Sequence, residues 1–355
     1  MNGLTERKSI ICIVGVGAVT AVGLTAPSAA AAVRAGISGY GEHPFMIDQQ
    51  GEPMIVAAVP VLGDDLRGSD RFAQLAIPAI REALAPIKSH LRELGSMSLF
   101  LGVPPQRPGR PPGLEQHFAE AFGHAAGVGS VQCIATGHSA GLMALEAAAR
   151  KAIVDPSGCY LVGGVDSYLD PETLDWLEAN DQLHGGPNAY GFIPGEAAGF
   201  CVVCSQMAAE RFRLPVLARV WTVATAREEN LIKADNVCLG KGLTEVFEKI
   251  FAELPSPTDK IGQSICDMNG EPYRADEYGF TVTRLSQRFE NAAEFVAPAD
   301  CWGDVGAASG LLFVNLVVAA GQRGYGNARH NLLWTSSESG ERTAAILHQE
   351  WAARI

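Results

Sequence analysis

The sequence predicts a layered α/β protein with a largely parallel sheet, and three observations support that fold class. Short apolar strands alternate with amphipathic helices along the 355 residues of the chain. Apolar residues make up 47% of the chain and charged residues only 19%, which allows a large core without disulfide or metal support. Glycine, at 39 residues, exceeds its usual share of about 7%, as expected where turns are tight and backbones approach closely.

In the first part of the chain, the apolar run at 9–16 predicts a central strand that is buried on both faces. The segment 104–112 predicts an exposed loop, because its prolines cannot continue a helix or an inner strand. The other predicted elements are a helix at 71–94, a strand at 97–102, a strand at 131–135, a helix at 139–153 and a strand at 159–163.

The second part of the chain repeats this alternation. Its clearest helix, 242–254, has apolar residues at i, i+3, i+4, i+7, i+8 and i+11, so they share one face. The other predicted elements are strands at 216–223 and 261–268, a helix at 306–320 and a hairpin at 332–347.

Two local similarities recur in the same order in both parts. GEAAGFCV at 195–202 is similar to GERTAAIL at 340–347, and AGLM at 140–143 is similar to SGLL at 309–312. We therefore expect two duplicated halves, with boundaries at 1–210 and 211–355.

Charge and cysteine usage restrict the possible partners and compartment. With 27 basic and 39 acidic residues the net charge is −12, and no basic cluster exceeds a dipeptide, so no nucleic acid is expected. The apolar run at 310–320 is far shorter than the roughly 20 residues that a bilayer requires, so no membrane insertion is expected. Eight scattered cysteines are typical of reduced thiols in a cytoplasmic protein, and on a strand Cys201 and Cys204 would point to opposite faces. The sequence thus predicts a cytoplasmic protein with neither metal nor cofactor.

Several strings, in matching order and spacing, resemble the β-ketoacyl-acyl-carrier-protein synthases. They are IVGVGAVTAVGLTAP at 13–27, LVGGVDS at 161–167, GFIPGEAAG at 191–199 and, more distantly, GDVGAASG at 303–310. The resemblance implies the thiolase-like fold, in which two similar α/β halves form a five-layered αβαβα molecule. A homodimer is the assembly that it implies.

The chemistry of that family requires three residues, and this chain departs from each. A cysteine at a strand-to-helix elbow carries the acyl group, and two histidines, or a histidine and an asparagine, stabilise an enolate. In ATGHSAGL at 135–142, His138 stands at the cysteine position. CDMNGEP at 266–272 places Asn269 at the first histidine, and WGDV at 302–305 has Asp304 where the second is expected. The expected pocket also includes three polar residues: Ser139, Glu271 and Ser337.

These departures favour a catalytically degenerate protein with a binding, scaffold or accessory role. Its expected partner is an acyl carrier protein, an acyl thioester, a secretion adaptor or a synthase subunit. The alternative is a divergent acyltransferase or acyl-thioester hydrolase that uses His138, oriented by Asp304 or Glu271. True decarboxylative condensation is the third and least favoured reading.

The candidate residues also have structural interpretations. His138 is expected to cap a helix start, where the helix dipole disfavours its imidazolium form. A solvent-exposed position is expected for Glu271, and for Arg107 and Arg110 in the proline-rich loop. Glu196 is interpreted as supporting the fold.

Overall fold

The computed structural model describes residues 10–125, 127–186, 188–231, 236–326 and 328–350. The strands are β1 (Ile11–Thr20), β2 (Gly41–Ile47), β3 (Pro53–Val56), β4 (Met97–Gly102), β5 (Val128–Ile134), β6 (Cys159–Ser167), β7 (Glu196–Ser205), β8 (Ala218–Arg227), β9 (Gln263–Cys266), β10 (Phe295–Val296), β11 (Asn331–Ser336) and β12 (Glu341–Gln349). The α-helices are α1 (Ala26–Arg34), α2 (Gly68–Leu84), α3 (Leu91–Leu94), α4 (Leu114–Ala125), α5 (Ala140–Val154), α6 (Pro171–Ala179), α7 (Gln206–Arg211), α8 (Lys241–Ala252), α9 (Pro272–Leu285), α10 (Ala299–Trp302) and α11 (Ser309–Arg323).

A continuous ten-stranded sheet consists of two five-stranded halves, called here the first and the second sheet, which have the same strand order and the same directions. The first is ordered β1-β7-β6-β4-β5 and the second β8-β12-β11-β9-β10. In each sheet four strands run in one direction, and only β7 or β12 is reversed. The two sheets are joined where β1 pairs with β8, at Ile11–Val220, Cys12–Arg219 and Ile13–Ala218. The duplicated, largely parallel α/β architecture is therefore confirmed.

Helices and sheets alternate in five layers. Helices α2 and α4 pack on the outer face of the first sheet, with Leu75 and Phe118 in that core. Helices α5 and α11 lie between the two sheets and contact both, with Leu145 in the central core. Helices α8 and α9 cover the second sheet around Phe247 and Trp334.

The central helix α11 is the main apolar helix of the second half. The predicted helix at 306–320 begins with a 3₁₀ turn at Gly306–Ala308 and continues as α11 to Arg323. From Ser309 to Gly321 every residue is buried. Within the described ranges, no helix is both long and apolar enough to cross a membrane.

One predicted helix is wrong, and several observed elements have no predicted counterpart. The single helix predicted at 71–94 is wrong, because α2 ends at Leu84 and a 3₁₀ turn that contains Pro86 separates it from α3. No sequence pattern predicts the hairpin β2–β3. The helix predicted at 242–254 is observed as α8, and its apolar face is buried as expected.

Glycines allow the layers to approach closely. A Cβ atom on Gly17 of β1 would lie 2.1 Å from the Ala79 carbonyl oxygen of α2. The abundance of glycine therefore reflects contact between strand and helix backbones, as the composition suggests.

Candidate functional site

The elbow between β5 and α5 places His138 inside the molecule. Gly137 has φ +76°, a left-handed conformation that favours glycine, and it opens a 3₁₀ turn at Gly137–Ser139. Helix α5 begins directly afterwards at Ala140. His138 is only 5% exposed, so any reaction at its ring would take place away from bulk water.

The corresponding turn of the second half presents a carboxylate to that ring. Asp304 lies between α10 and the 3₁₀ turn that leads into α11, and it is buried. Both its oxygens lie 2.9 Å from His138 Nε2, and Oδ1 also accepts a hydrogen bond from the Gly306 N–H at 2.8 Å. The starts of the two central helices therefore meet through a histidine–carboxylate pair.

Asn269, just after β9, is the third residue that the resemblance predicts for the site, with His138 and Asp304. Its Nδ2 donates to Asp304 Oδ2 at 2.6 Å and to Glu271 Oε2 at 3.0 Å. The structure thus brings together His138, Asn269 and Asp304, as the resemblance implies. Their role in catalysis stays a prediction.

An arginine that sequence reasoning missed connects this trio to further carboxylates. Arg274 of α9 is 1% exposed and donates from Nη1 to Asp267 Oδ2 at 3.0 Å and from Nε to Glu271 Oε2 at 3.2 Å. Its Nη2 lies 3.4 Å from His138 Nε2. The expectation that Glu271 is solvated is wrong, because its carboxylate is buried against this guanidinium. We call His138, Asn269, Asp304, Arg274, Glu271 and Asp267 the central ion cluster.

Electrostatics favour the charged form of both members of the central pair. Burial opposes protonation of His138, but the neighbouring Asp304 carboxylate outweighs burial and Arg274, so the His138 pKa is raised. Burial likewise opposes ionisation of Asp304, yet His138 and Arg274 hold its pKa well below the usual range. The expectation that the helix dipole disfavours the imidazolium is therefore wrong, because the adjacent carboxylate dominates.

The two serines predicted for the pocket contact each other and not the histidine ring. The backbone N–H of Ser139 donates to Ser337 Oγ at 2.9 Å. This hydrogen bond connects the loop between β11 and β12 to the elbow. The hydroxyl of Ser139 faces the carbonyl oxygens of Glu341, at 2.9 Å, and Thr335, at 3.2 Å. Its hydrogen-bond partners are thus main-chain carbonyls, and the geometry provides no Ser–His dyad.

The arginines of the proline-rich loop point inward. Arg107 pairs with Asp166 at 2.6 Å and stacks 4.2 Å from the centre of the Tyr168 ring. Arg110 is buried and pairs with Glu115. The expectation that both are solvent-exposed is wrong, because each guanidinium has an acidic partner.

Glu196 is held at the outer side of the first sheet, as its structural interpretation requires. It accepts two hydrogen bonds from Arg71, at 2.6 and 2.7 Å, and others from the Ser167 hydroxyl and the Val59 N–H. This carboxylate is fully buried and its partners belong to three different segments.

The space beside the central ion cluster is small. A cavity of about 10 Å³ is lined by Asn269, Asp304, Trp302 and Phe313, among others. That volume is close to the minimum for a single water molecule. The nearest cysteine along the chain, Cys133, does not offer a thiolate, because burial raises its pKa to about 11.

Comparison with known proteins identifies the fold. No protein-family model and no curated protein sequence matches the chain. Among solved structures, the ishigamide ketosynthase/chain length factor aligns with a TM-score of 0.78 and 16% identity, covering 97% of this chain and 100% of that chain. A ketosynthase from module 6 of the bacillaene synthase of Bacillus subtilis 168 also gives 0.78 at 16% identity, covering 97% and 73%.

A third similar structure is that of a type II polyketide synthase acyl-carrier protein in complex with its ketosynthase. It aligns with a TM-score of 0.75 and 14% identity and covers 97% of this chain and 100% of that chain. At these identities the likeness establishes architecture, in agreement with the five layers and the duplicated strand order. The chain has the thiolase-like fold of the ketosynthases.

Proposed function

We propose that this chain is a non-condensing ketosynthase-fold protein that acts by binding a partner. The observation that carries the proposal is the central ion cluster, which occupies the place where the resemblance puts the condensing residues. Decarboxylative condensation needs a thiolate to carry the acyl group and neutral or cationic donors to stabilise an enolate. His138 replaces the thiolate, and the carboxylate of Asp304 opposes further negative charge nearby.

The available space supports the same proposal. Ligand pockets typically enclose about 300–1,000 Å³, whereas the cavity beside Asp304 has about 10 Å³. A thioester with its acyl chain does not fit there unless the surrounding side chains move. Because three of those side chains, Asp267, Asn269 and Asp304, belong to the buried ion network, their movement would leave charges unpaired, which is costly.

The direct test is to incubate the purified protein with an acyl-acyl-carrier-protein thioester and a malonyl thioester, and to follow intact mass and thiol release. We expect no covalent adduct, no decarboxylation and no ketoacyl product. A covalent adduct that disappears in His138→Ala but persists in His117→Ala would overturn the proposal. His117 is a suitable control because it lies on α4, and its side chain is 33% exposed.

A second candidate function, acyl-thioester hydrolysis, is favoured by one observation. His138 Nε2 lies 2.9 Å from Asp304, and the adjacent cavity has the volume of one water molecule. General-base chemistry requires a neutral imidazole, which the raised His138 pKa disfavours. Hydrolysis by this route would therefore give thiol release above the uncatalysed rate, with an excess that increases with pH and is lost in Asp304→Asn. Thiol release at the uncatalysed rate at every pH excludes it.

The surface that supports partner binding is the edge of the first sheet. β5 has seven residues, lies at the end of the strand order and is largely open to solvent, whereas the opposite edge, β10, has two. A long edge strand presents unpaired N–H and C=O groups that can pair with another strand. We infer that β5 pairs with the same strand of a second ketosynthase-fold chain, which gives either a homodimer or a pair with a synthase subunit.

Charge placed on that edge tests the inference. In a two-fold antiparallel pair, like charges face each other across the interface and are destabilising. Ser130→Arg/Gln132→Arg should therefore convert a dimer of the 37.5 kDa chain to monomer in sedimentation velocity experiments. Gln49→Arg/Gln50→Arg, on the exposed turn between β2 and β3, is the matched control and should remain dimeric. If the two variants have the same oligomeric state, β5 is not the strand that forms the dimer interface.

An acyl carrier protein is the other partner to test, because one similar structure contains a carrier protein bound to a ketosynthase. Titration of the chain with a carrier protein in a calorimeter, with and without an acyl group, measures this directly. Binding without turnover supports the proposed role. A secretion adaptor as partner stays a prediction from the sequence.

A further inference from the structure

A second group of buried acidic side chains lies in the outer layer of the second half, apart from the central ion cluster. Glu228 follows β8, Cys238 precedes α8 and Glu277 lies on α9. The ligating atoms of these three residues, one oxygen or sulfur from each, all lie within 4.8 Å of one another. Glu228 is 1% and Glu277 0% exposed, whereas Cys238 is half-buried and gives access from the surface.

Among the described residues, one guanidinium, that of Arg342, forms a hydrogen bond with the two carboxylates of this group, so negative charge exceeds positive charge. Arg342 donates from Nε to Glu277 Oε1 at 2.6 Å, but Glu277 Oε2 is fully buried and has no hydrogen-bond partner among the described residues. The Glu228 carboxylate accepts hydrogen bonds from the backbone N–H groups of Gly242, at 2.7 Å, and Asn230, at 3.2 Å. Both donors are neutral. An unpartnered carboxylate oxygen that is removed from water is costly unless a cation satisfies it.

We propose that Glu228, Cys238 and Glu277 bind one Zn²⁺ ion. A thiolate with two carboxylates suits the borderline-soft zinc ion, and three protein ligands leave its fourth tetrahedral position to water. Mg²⁺ and Ca²⁺ are disfavoured, because they require six or more oxygen ligands and bind thiolates poorly. Binding replaces the thiol proton of Cys238 by the metal, so one proton is released for each ion bound.

The electrostatics of the group agree with this geometry. Burial raises the pKa of Glu277, Arg342 opposes that shift, and the neighbouring Glu228 adds to it. The pKa of Cys238 is raised by burial, although a hydrogen bond from the Gly240 N–H opposes that shift. A divalent cation would stabilise the ionised form of all three groups at once. The three ligands come from separate segments with no characteristic spacing, which is why the sequence predicts no metal.

The test is equilibrium dialysis of the full chain against ZnCl₂, with bound metal counted by mass spectrometry. We expect one ion per chain, and in Cys238→Ser an affinity at least about tenfold weaker, since even loss of an indirect contact to a metal costs 10–100-fold. Cys133→Ser, also half-buried, is the matched control and should bind as the wild type does. Dialysis against MgCl₂ should load nothing.

A second readout does not depend on any variant. Co²⁺ substituted into the wild-type chain should show an intense near-ultraviolet charge-transfer band, which requires a cobalt–thiolate bond, and Zn²⁺ should abolish that band. Any of three results would overturn the proposal: absence of the cobalt–thiolate band, no zinc bound by the wild type, or zinc binding by Cys238→Ser as tight as by the wild type. Circular dichroism of Cys238→Ser confirms that any loss of zinc occurs in a folded chain.

Discussion

The turns that begin the two central helices have similar backbones and opposite side-chain chemistry. Each 3₁₀ turn begins with a glycine of positive φ, +76° at Gly137 and +46° at Gly306, and each leads directly into its helix. The first turn presents the imidazole of His138 and the second the carboxylate of Asp304. The two halves thus share one way of turning into a buried helix, but His138 lies within its 3₁₀ turn, whereas Asp304 lies two residues before its own.

This difference shows that the two halves meet in an ion pair between non-equivalent positions. By the resemblance, these positions would hold groups that act on a substrate placed between them. Here the two groups act on each other, at 2.9 Å, with Arg274 and Asn269 completing their hydrogen bonds. Four experiments test how far the comparison holds, from the largest expected effect to the smallest.

Removal of the carboxylate should have the largest effect. Asp304→Ala leaves the buried His138 beside Arg274 without its carboxylate partner and should lower the free energy of unfolding by about 3–5 kcal/mol. Urea denaturation followed by tryptophan fluorescence measures the change. Asp300→Ala removes an exposed carboxylate four residues earlier and should cost little. Equal costs in the two variants would mean that the pair does not hold the halves together.

The two turn glycines should differ in their tolerance of a side chain. At Gly137 the nearest atom to an added Cβ is 3.5 Å away, so Gly137→Ala costs only the strain of positive φ, about 1–2 kcal/mol. At Gly306 a Cβ would lie 2.2 Å from Asp166 Oδ2, and Gly306→Ala should therefore cost more. Thermal denaturation of both variants checks the order, and the reverse order would contradict the close contact between Gly306 and Asp166.

The ion pair should make stability depend on pH with a defined sign. The folded-state pKa of His138 is raised above 6.5, so its contribution is complete below pH 6.5 and is lost as the pH rises through the raised value. The pKa of Asp304 is lowered from 3.8, so its contribution is complete above pH 3.8 and is lost as the pH falls further. The pair therefore stabilises most between these two limits.

A double-mutant cycle isolates this contribution. The coupling energy between His138→Gln and Asp304→Asn should be on the order of 1 kcal/mol at pH 5.5 and should decrease at alkaline pH. Denaturation curves of the four proteins at each pH give the coupling. A coupling energy that rises with pH would contradict an imidazolium–carboxylate pair.

A cysteine at position 138 should change activity least. His138→Cys places a thiol at the elbow, but Asp304 and the cavity of about 10 Å³ remain beside it. We expect no decarboxylation of a malonyl thioester and no ketoacyl product by mass spectrometry. If this single substitution confers condensation, one residue decides whether the chain condenses, and the surrounding cluster does not prevent the reaction.

The fold was predictable because it follows from local patterns. Helix α8 and the β11–β12 hairpin are evident from periodicity, and the similarity between 195–202 and 340–347 reflects strands β7 and β12 at equivalent places in the two sheets. The thiolase-like architecture followed from the resemblance of the motifs. The half boundaries at 1–210 and 211–355 stay predictions.

The site was predictable only in part, because its electrostatics depend on distant residues. The positions of His138, Asn269 and Asp304 follow from the motif order. Arg274 did not stand out, because in sequence an arginine on a helix is indistinguishable from one in solvent until its long-range partner is known. The protonation preference of His138 was mispredicted for the same reason: the helix dipole is local, whereas Asp304 lies 166 positions away in the chain.

The placement of β1 has a consequence for synthesis of the chain on the ribosome. This apolar strand is complete at Thr20, but its two hydrogen-bonding neighbours are β7, at Glu196–Ser205, and β8, at Ala218–Arg227. At roughly 5–20 residues per second, on the order of 10–40 s passes before β7 is made. During that interval the first strand has neither edge paired, so we expect molecular chaperones to engage the nascent chain there before any other part of the first sheet.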